Sequence, residues 1–187
     1  MISAVQENKD GTINIMADID FSTRYTLSHK ELFSFDKNLE RSTWLHGQLP
    51  TGDLFFVQDA PLTLPLFQET VMCFINGQFI ASIVLGFSVV ERSLAARLHT
   101  ISKDIPGNAE KLLRVAKTQG WLDDDEFKHL DKAREYRNHV IHFKDALNPS
   151  RPDIRALSFG KDVYDVLEQD AKDVLCAAID VLSKTSI

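Results

Sequence analysis

The 187-residue chain contains 44% hydrophobic and 26% charged residues, a composition typical of a soluble globular protein with one domain, or one domain plus an appendage. Its formal net charge of −6 argues against sequence-independent coating of nucleic acid, which needs many Lys and Arg side chains facing phosphates. A local basic site is still compatible with that charge.

Cys73 and Cys176 both lie in apolar runs, so we expect buried reduced thiols and a cytoplasmic location.

Residues 1–65 are predicted to form an N-terminal appendage of mixed structure. The stretch from Thr12 to Met16 is β-prone, and Ser28 to His46 has the apolar spacing of an amphipathic helix. Ser28 and Glu31 fit a capping box at the start of that helix. Residues 47–66 are rich in Pro, which indicates a loop with a short extended piece lying on the rest of the protein.

An uncharged stretch of twenty residues, from Val71 to Val90, is long enough to span a bilayer. Polar residues dilute its hydrophobicity, and these are Asn76, Gln78, Ser82 and Ser88. We therefore expect no membrane span, and instead a central bundle helix that neighbours cover on nearly all sides. This first bundle helix is predicted to run from Leu66 to Ile101, with a bend at Gly77 or Gly86.

Three further helices are predicted after the uncharged stretch. A short second helix runs from Asn108 to Gln119, and a third runs from Asp123 to Lys144. The last runs from Asp162 to Ser183, after a loop at residues 148–152. Four helices joined by short connections predict an all-α fold, an up-and-down four-helix bundle over residues 66–187.

The predicted third helix carries the most unusual pattern in the chain. Its apolar residues fall on one side when the chain is wound at about 100° per residue, and Arg137 lies in the middle of that side. A guanidinium among apolar positions costs roughly several kcal/mol unless an anion or several acceptors meet it. The side chain could equally extend along the edge of the core, or pair with a carboxylate of a neighbouring helix.

Arg137, Asn138 and His142 form the sequence Arg-Asn-x-x-x-His late in this helix. The motif resembles the signature of the HEPN superfamily (higher eukaryotes and prokaryotes nucleotide-binding domain), and the resemblance covers about residues 66–183. HEPN proteins that cleave RNA place an Arg and a His from each chain at a two-fold interface. The resemblance therefore implies a four-helix bundle that forms a homodimer, with Arg137 as phosphate stabiliser, Asn138 as orienting group and His142 as acid–base catalyst.

These side chains suit cleavage of RNA without a metal ion or other cofactor. Histidine exchanges a proton near neutral pH, and Arg137 is a permanent cation that can bind two phosphate oxygens. Residues five apart are separated by about 140° around an ideal helix, so a second helix or a second protomer must complete a site that uses both Arg137 and His142. Glu91, late in the first bundle helix, is a supporting candidate that could orient either of them, or could equally be a surface acid.

Basic residues of the third helix could contact the RNA backbone. Lys132, Arg134 and Lys144 are the candidate RNA-binding residues, although a solvated helix face gives the same charge pattern. His139 fills a variable position of the motif and is expected to be an exposed helical histidine. Together with His142 it offers only two metal ligands, so no metal site is predicted.

The resemblance implies a metal-independent endoribonuclease of the toxin or defence type, with an antitoxin protein as a candidate partner. Some HEPN toxins carry a Tyr as the second residue after the His, where a partner enzyme modifies it. Here Phe143 and Lys144 follow His142, so regulation of that kind is not expected. Two alternatives stay open, a non-catalytic HEPN module that binds RNA or a nucleotide, and a helical dimerisation protein in which Arg137 is structural.

Overall fold

The structure, a computed structural model, describes residues 2–7, 13–17, 34–50 and 59–185. Near the N-terminus, strands β1 (Ile2–Glu7) and β2 (Ile13–Ala17) pair as an antiparallel two-stranded sheet. β2 coincides with the β-prone stretch, whereas β1 has no counterpart among the predicted elements. The predicted capping box at Ser28 and the extended piece after Gly52 lie outside the described residues.

Within residues 34–50 and 59–185 every regular element is an α-helix, which agrees with the predicted all-α class for this part of the chain. The seven helices there are α1 (Phe35–His46), α2 (Ala60–Ile75), α3 (Phe79–His99), α4 (Ala109–Thr118), α5 (Asp124–Ile141), α6 (Pro152–Phe159) and α7 (Val163–Thr185). They form a helical bundle in which α3 is central and packs against α2, α4, α5 and α7.

The predicted single helix from Leu66 to Ile101 is wrong, because the chain reverses direction between α2 and α3. Gly77 has a φ of +73°, a left-handed conformation that glycine adopts without the steric cost of a Cβ. Across the resulting hairpin, the Ser82 hydroxyl donates a hydrogen bond to the Thr70 carbonyl at 3.2 Å. A glycine predicted to bend a helix instead ends one helix and allows the next to pack back against it.

α2 begins at Ala60, six residues before the predicted start of the bundle. Pro61 stands in the first turn of the helix, where the missing N–H would have had no helical partner, while Pro65 lies inside the helix. Two of the three prolines that indicate a loop in the sequence, Pro61 and Pro65, are therefore helical residues, whereas Pro50 lies outside the helices. This is a second correction to the predicted boundaries.

α3 is long and apolar enough to cross a membrane by length and composition alone. Half of its most apolar window is buried inside the bundle, and Ile83, Phe87 and Val89 are completely inaccessible to solvent. A core helix covered by its neighbours passes the same test of length and composition. The burial agrees with the prediction that the uncharged stretch is covered by neighbouring helices.

The predicted starts of α4 and α5 are confirmed by their caps. Asn108 Oδ1 accepts a hydrogen bond from the Lys111 N–H at 2.8 Å, and Asp123 Oδ1 accepts from the Glu126 N–H at 2.9 Å. The Glu126 carboxylate accepts in return from the Asp123 N–H, which completes a capping box. These local interactions fix where both helices begin.

Two predicted boundaries near the motif are wrong. α5 ends at Ile141 rather than Lys144, and His142 is its C-cap residue with extended backbone dihedral angles. The predicted loop at residues 148–152 leads directly into α6, which has Pro152 at its start. Proline is tolerated in the first turn of a helix, so a residue that marks a loop also begins this short helix.

Gly86 allows close packing at the centre of the bundle, and Gly86→Val is expected to lower the free energy of unfolding by about 1–3 kcal/mol. An added Cβ would lie 2.9 Å from Val174 Cγ1 and 3.1 Å from Thr70 Cγ2, so α2 and α7 would have to move away from α3. Urea unfolding measures the change. Gly107→Val is the control, since no atom lies within 4 Å of a Cβ there, and equal losses in both variants would contradict this account.

Candidate functional site

Arg137 lies between α5 and α3 with its side chain 19% exposed. Its Nη2 donates to Glu91 Oε2 at 3.0 Å, and its guanidinium lies over the Phe87 ring, 5.3 Å from the ring centre. An anion and an aromatic face therefore meet the cation that the sequence places among apolar positions. Of the two residues that Glu91 could orient, the structure places it in contact with Arg137, and the orienting role stays a prediction.

Asn138 gives Arg137 a second fixed acceptor, because Arg137 Nη1 donates to Asn138 Oδ1 at 3.0 Å. A guanidinium has five N–H donors, and these two hydrogen bonds use two of them. The side chain is thus held in one orientation while donors remain for a further anion. Arg137 and Asn138, which are neighbours in the sequence, are thus joined by a side-chain hydrogen bond.

His142 lies at the exposed end of α5, where its backbone N–H donates to the Asn138 carbonyl at 3.1 Å. Its side chain lines a groove of about 390 Å³ between the end of α5 and the start of α6, which we call the α5–α6 groove. Arg137 is not among the residues that line this groove. Within one chain, the structure therefore places the two principal motif residues in different surroundings, as their separation around a helix predicts.

The α5–α6 groove has apolar and polar walls. Ile80 of α3, Val140 of α5, and Val163 and Leu167 of α7 supply the apolar lining. Its polar and charged lining comes from the connection between α5 and α6 and from the helix ends on either side of it. Those groups belong to His139, His142, Lys144, Arg151 and Asp153.

His139 is half-buried, which corrects the expectation of an exposed histidine. Its Nδ1 is shut off from solvent and has no hydrogen-bond partner among the described residues. Burial lowers the pKa of His139, with the Glu135 carboxylate acting in the opposite direction and the cations of Lys144, Arg155 and Arg134 lowering it further. The proximity of His139 to His142 was visible in the sequence spacing, whereas its burial depends on α6, which was not predicted.

Two cations line the α5–α6 groove, and they differ in their pairing. Arg151 forms a two-pronged ion pair with Asp153, through Nε at 3.0 Å and Nη2 at 2.7 Å, and its Nη1 donates to the Lys144 carbonyl at 3.3 Å. The Lys144 ammonium has no carboxylate within ion-pair distance in the described part of the chain. Lys144 is therefore the more available cation for an anionic ligand.

Lys132 and Arg134, the other predicted RNA contacts, do not line the groove. Lys132 Nζ pairs with Asp173 at 3.2 Å, and Arg134 Nε pairs with Asp131 at 2.7 Å. Residues two apart point about 160° away from each other around a helix, so the two cations cannot form one patch. Of the three predicted RNA contacts, the structure places only Lys144 beside His142.

A buried ion pair holds the α6 wall of the groove against α7. Arg155 Nη1 donates to Asp170 Oδ1 at 3.1 Å, a second Arg155–Asp170 hydrogen bond closes the pair, and the Asp170 side chain is only 3% exposed. The Arg155 guanidinium also lies over the Tyr136 ring at 5.2 Å. Sequence reasoning missed this wall of the site because α6 was not predicted.

Among the described residues, no three His, Cys, Asp or Glu side chains lie close enough together to hold a metal ion. Cys73 and Cys176 are free thiols, and burial raises the pKa of each. The polar and charged side chains that line the groove are two imidazoles, two cations and the Asp153 carboxylate. Comparisons with protein-family models, with curated protein sequences and with solved structures find no match to this chain.

Proposed function

We propose that this protein is a HEPN-like, metal-independent endoribonuclease. The observation that supports the proposal is the α5–α6 groove, which gathers His139, His142 and the available Lys144 in a chain whose net charge is −6. A local cationic groove in an acidic protein favours an anionic ligand at one place over general binding of polyanions. Imidazoles beside it favour chemistry that moves protons.

The proposed reaction uses the 2′-hydroxyl of RNA as the nucleophile. The 2′-O–H bond breaks, a 2′-O–P bond forms, and the P–O5′ bond breaks to leave a 2′,3′-cyclic phosphate and a 5′-hydroxyl end. One proton leaves the 2′-oxygen and one reaches the 5′-oxygen. His142 transfers one of these protons, because its side chain is exposed and lines the groove.

Arg137 and Asn138 complete the proposed site across a homodimer interface. Each Arg137 keeps free donors for the phosphate while Glu91 and Asn138 fix its orientation. Exposed apolar side chains surround the end of α5, where Phe143 is 91% exposed and Ile141 is 44% exposed. Burying such side chains in a second copy of the chain would stabilise the dimer and bring Arg137 of one protomer toward the groove of its partner.

The proposal also includes a HEPN-like topology for the helical bundle. In it α3, α4, α5 and α7 are the four helices of the HEPN-like bundle, with α2 and α6 as additions. The protein would act in the cytoplasm as a toxin or defence nuclease, and an antitoxin protein would then restrain it.

A second candidate function is a non-catalytic module that binds RNA. The observation that favours it is the pairing of Arg137 with Glu91, which neutralises the cation in the free chain. A carboxylate in contact with the guanidinium weakens its stabilisation of the charge that develops on the phosphate during cleavage, while Lys144 of the groove is still available to bind RNA. RNA binding without strand cleavage is the result that this alternative predicts.

Cleavage of end-labelled single-stranded RNA in EDTA tests the proposed function. We expect the wild-type protein to cut the RNA and to leave 2′,3′-cyclic phosphate and 5′-hydroxyl ends. A His142→Ala variant purified in parallel controls for contaminating ribonuclease. Intact RNA after incubation with wild-type protein, under conditions in which a metal-independent control nuclease degrades it, would overturn the proposal.

A further inference from the structure

The tautomer of His139 follows from its surroundings. Its Nδ1 is buried with no partner among the described residues, while the side chain lines the α5–α6 groove, so Nε2 is the nitrogen that a ligand can reach. A buried N–H without an acceptor is rarer in proteins than a buried acceptor without a donor. A neutral ring with its proton on Nε2 would leave no buried N–H without an acceptor and would present an N–H donor to the groove.

Protonation of the same ring is disfavoured on geometric grounds. It would place a second N–H at Nδ1, where no acceptor is present among the described residues. The cations near the ring are Arg134 on α5, Lys144 after it, and Arg151 and Arg155 at α6. Arg134 pairs with Asp131 and Arg155 with Asp170, so the cation without a carboxylate partner among the described residues is Lys144. The facing carboxylates are Glu135 on α5 and Asp153 on α6, and Arg151 already pairs with Asp153, while α3 and α7 present the apolar Ile80, Val163 and Leu167.

We propose that His139 Nε2–H and the Lys144 ammonium together hold a phosphate oxygen of RNA beside His142. The inference rests on the proposed function and extends it by assigning the phosphate-binding donors within one chain. His139 is in this role a fixed neutral donor that binds the phosphate and transfers no proton. The Lys144 ammonium supplies positive charge. The His139 ring supplies a hydrogen bond of fixed direction, because burial holds the ring in place.

The free protein gives the first test. Long-range ¹H–¹⁵N correlation spectra at neutral pH distinguish the two neutral tautomers and the protonated ring of a histidine. We expect His139 to be neutral with its proton on Nε2, and its Nε2–H resonance to shift when RNA with 2′-O-methyl groups is added. A ring protonated at neutral pH, or protonated on Nδ1 alone, would overturn the assignment.

Affinity for the same 2′-O-methyl RNA gives the second test, since such RNA has no nucleophile and binding is measured apart from cleavage. His139→Leu removes the donor and is expected to weaken binding roughly tenfold or more, whereas His139→Gln keeps an amide N–H donor and is expected to retain most of the affinity. His99→Leu, at the exposed end of α3, is the matched control. Circular dichroism and urea unfolding confirm that each variant is folded.

The outcomes separate this inference from the proposed function. Equal RNA affinity for wild type and His139→Leu overturns the inference even if the wild type cleaves RNA. If RNA binds tightly, depends on His139 for that affinity and is not cleaved, the phosphate-binding site is supported and the proposed nuclease activity is overturned. Inorganic phosphate that shifts the His139 resonance while the 2′-O-methyl RNA does not would show a free-phosphate site, and would overturn the assignment to RNA.

Discussion

Replacement of His142 by Ala is expected to reduce the rate of RNA cleavage by ~10²–10⁴-fold, the usual contribution of a positioned acid–base group. The imidazole lines the α5–α6 groove at the exposed end of α5, where it can reach a bound phosphodiester. A methyl group in its place can neither accept nor donate a proton. Single-turnover cleavage of labelled RNA in EDTA measures the chemical step without interference from product release.

The fold should survive this substitution, because the helix-ending hydrogen bond of His142 uses its backbone N–H rather than its ring. His99→Ala is the matched control, an exposed histidine at the end of another helix and away from the groove. We expect it to cleave RNA at the wild-type rate. Equal rates for wild type and His142→Ala would remove His142 from the reaction and indicate a contaminating enzyme or a different site.

Replacement of Asp170 by Ala is expected to lower the free energy of unfolding by about 3–5 kcal/mol, the usual cost of removing one partner of a buried ion pair. Asp170 is almost completely buried, and both of its carboxylate oxygens accept hydrogen bonds from Arg155. Burial raises the pKa of Asp170, and the Arg155 guanidinium acts in the opposite direction. Without the carboxylate, the guanidinium stays partly buried without its counterion.

A double substitution, Arg155→Met with Asp170→Leu, separates the cost of an orphaned charge from that of lost packing. Apolar residues of similar volume leave no unpaired charge, so the double variant should be more stable than Asp170→Ala. Asp165→Ala, at an exposed position of α7, should change stability little. Equal losses in all three variants, measured by urea unfolding, would contradict the role given to the ion pair.

The parts of the fold that depend on local interactions could be predicted from the sequence. Asn108 and Asp123 cap helices through contacts within three residues, and such contacts are visible in a short stretch of sequence. An anionic partner for Arg137 was foreseeable, because a half-buried guanidinium needs an anion, although the sequence left open whether Glu91 would meet Arg137 or His142. For these features sequence and structure give the same answer.

The remaining features depend on contacts between distant parts of the chain. Gly77 is compatible with a bent helix or with a reversal, and only the packing of α2 against α3 decides between them. Pro152 marks a loop in the sequence, yet α6 begins there because Arg155 reaches Asp170 on α7. The burial of His139 depends on the same helix, since α6 forms one wall of the groove.

Gly86 also bears on the order in which the chain assembles. Its neighbours are Thr70, across a three-residue reversal, and Val174, which belongs to the last helix of the described chain. Closing a short loop costs little entropy, so the α2–α3 hairpin can form as soon as its residues leave the ribosome. The face of α3 that α7 covers then remains open until the residues of α7 have been synthesised. During translation this uncharged surface is where a nascent chain would aggregate or recruit a chaperone, and docking of α7 is the step that ends the exposure.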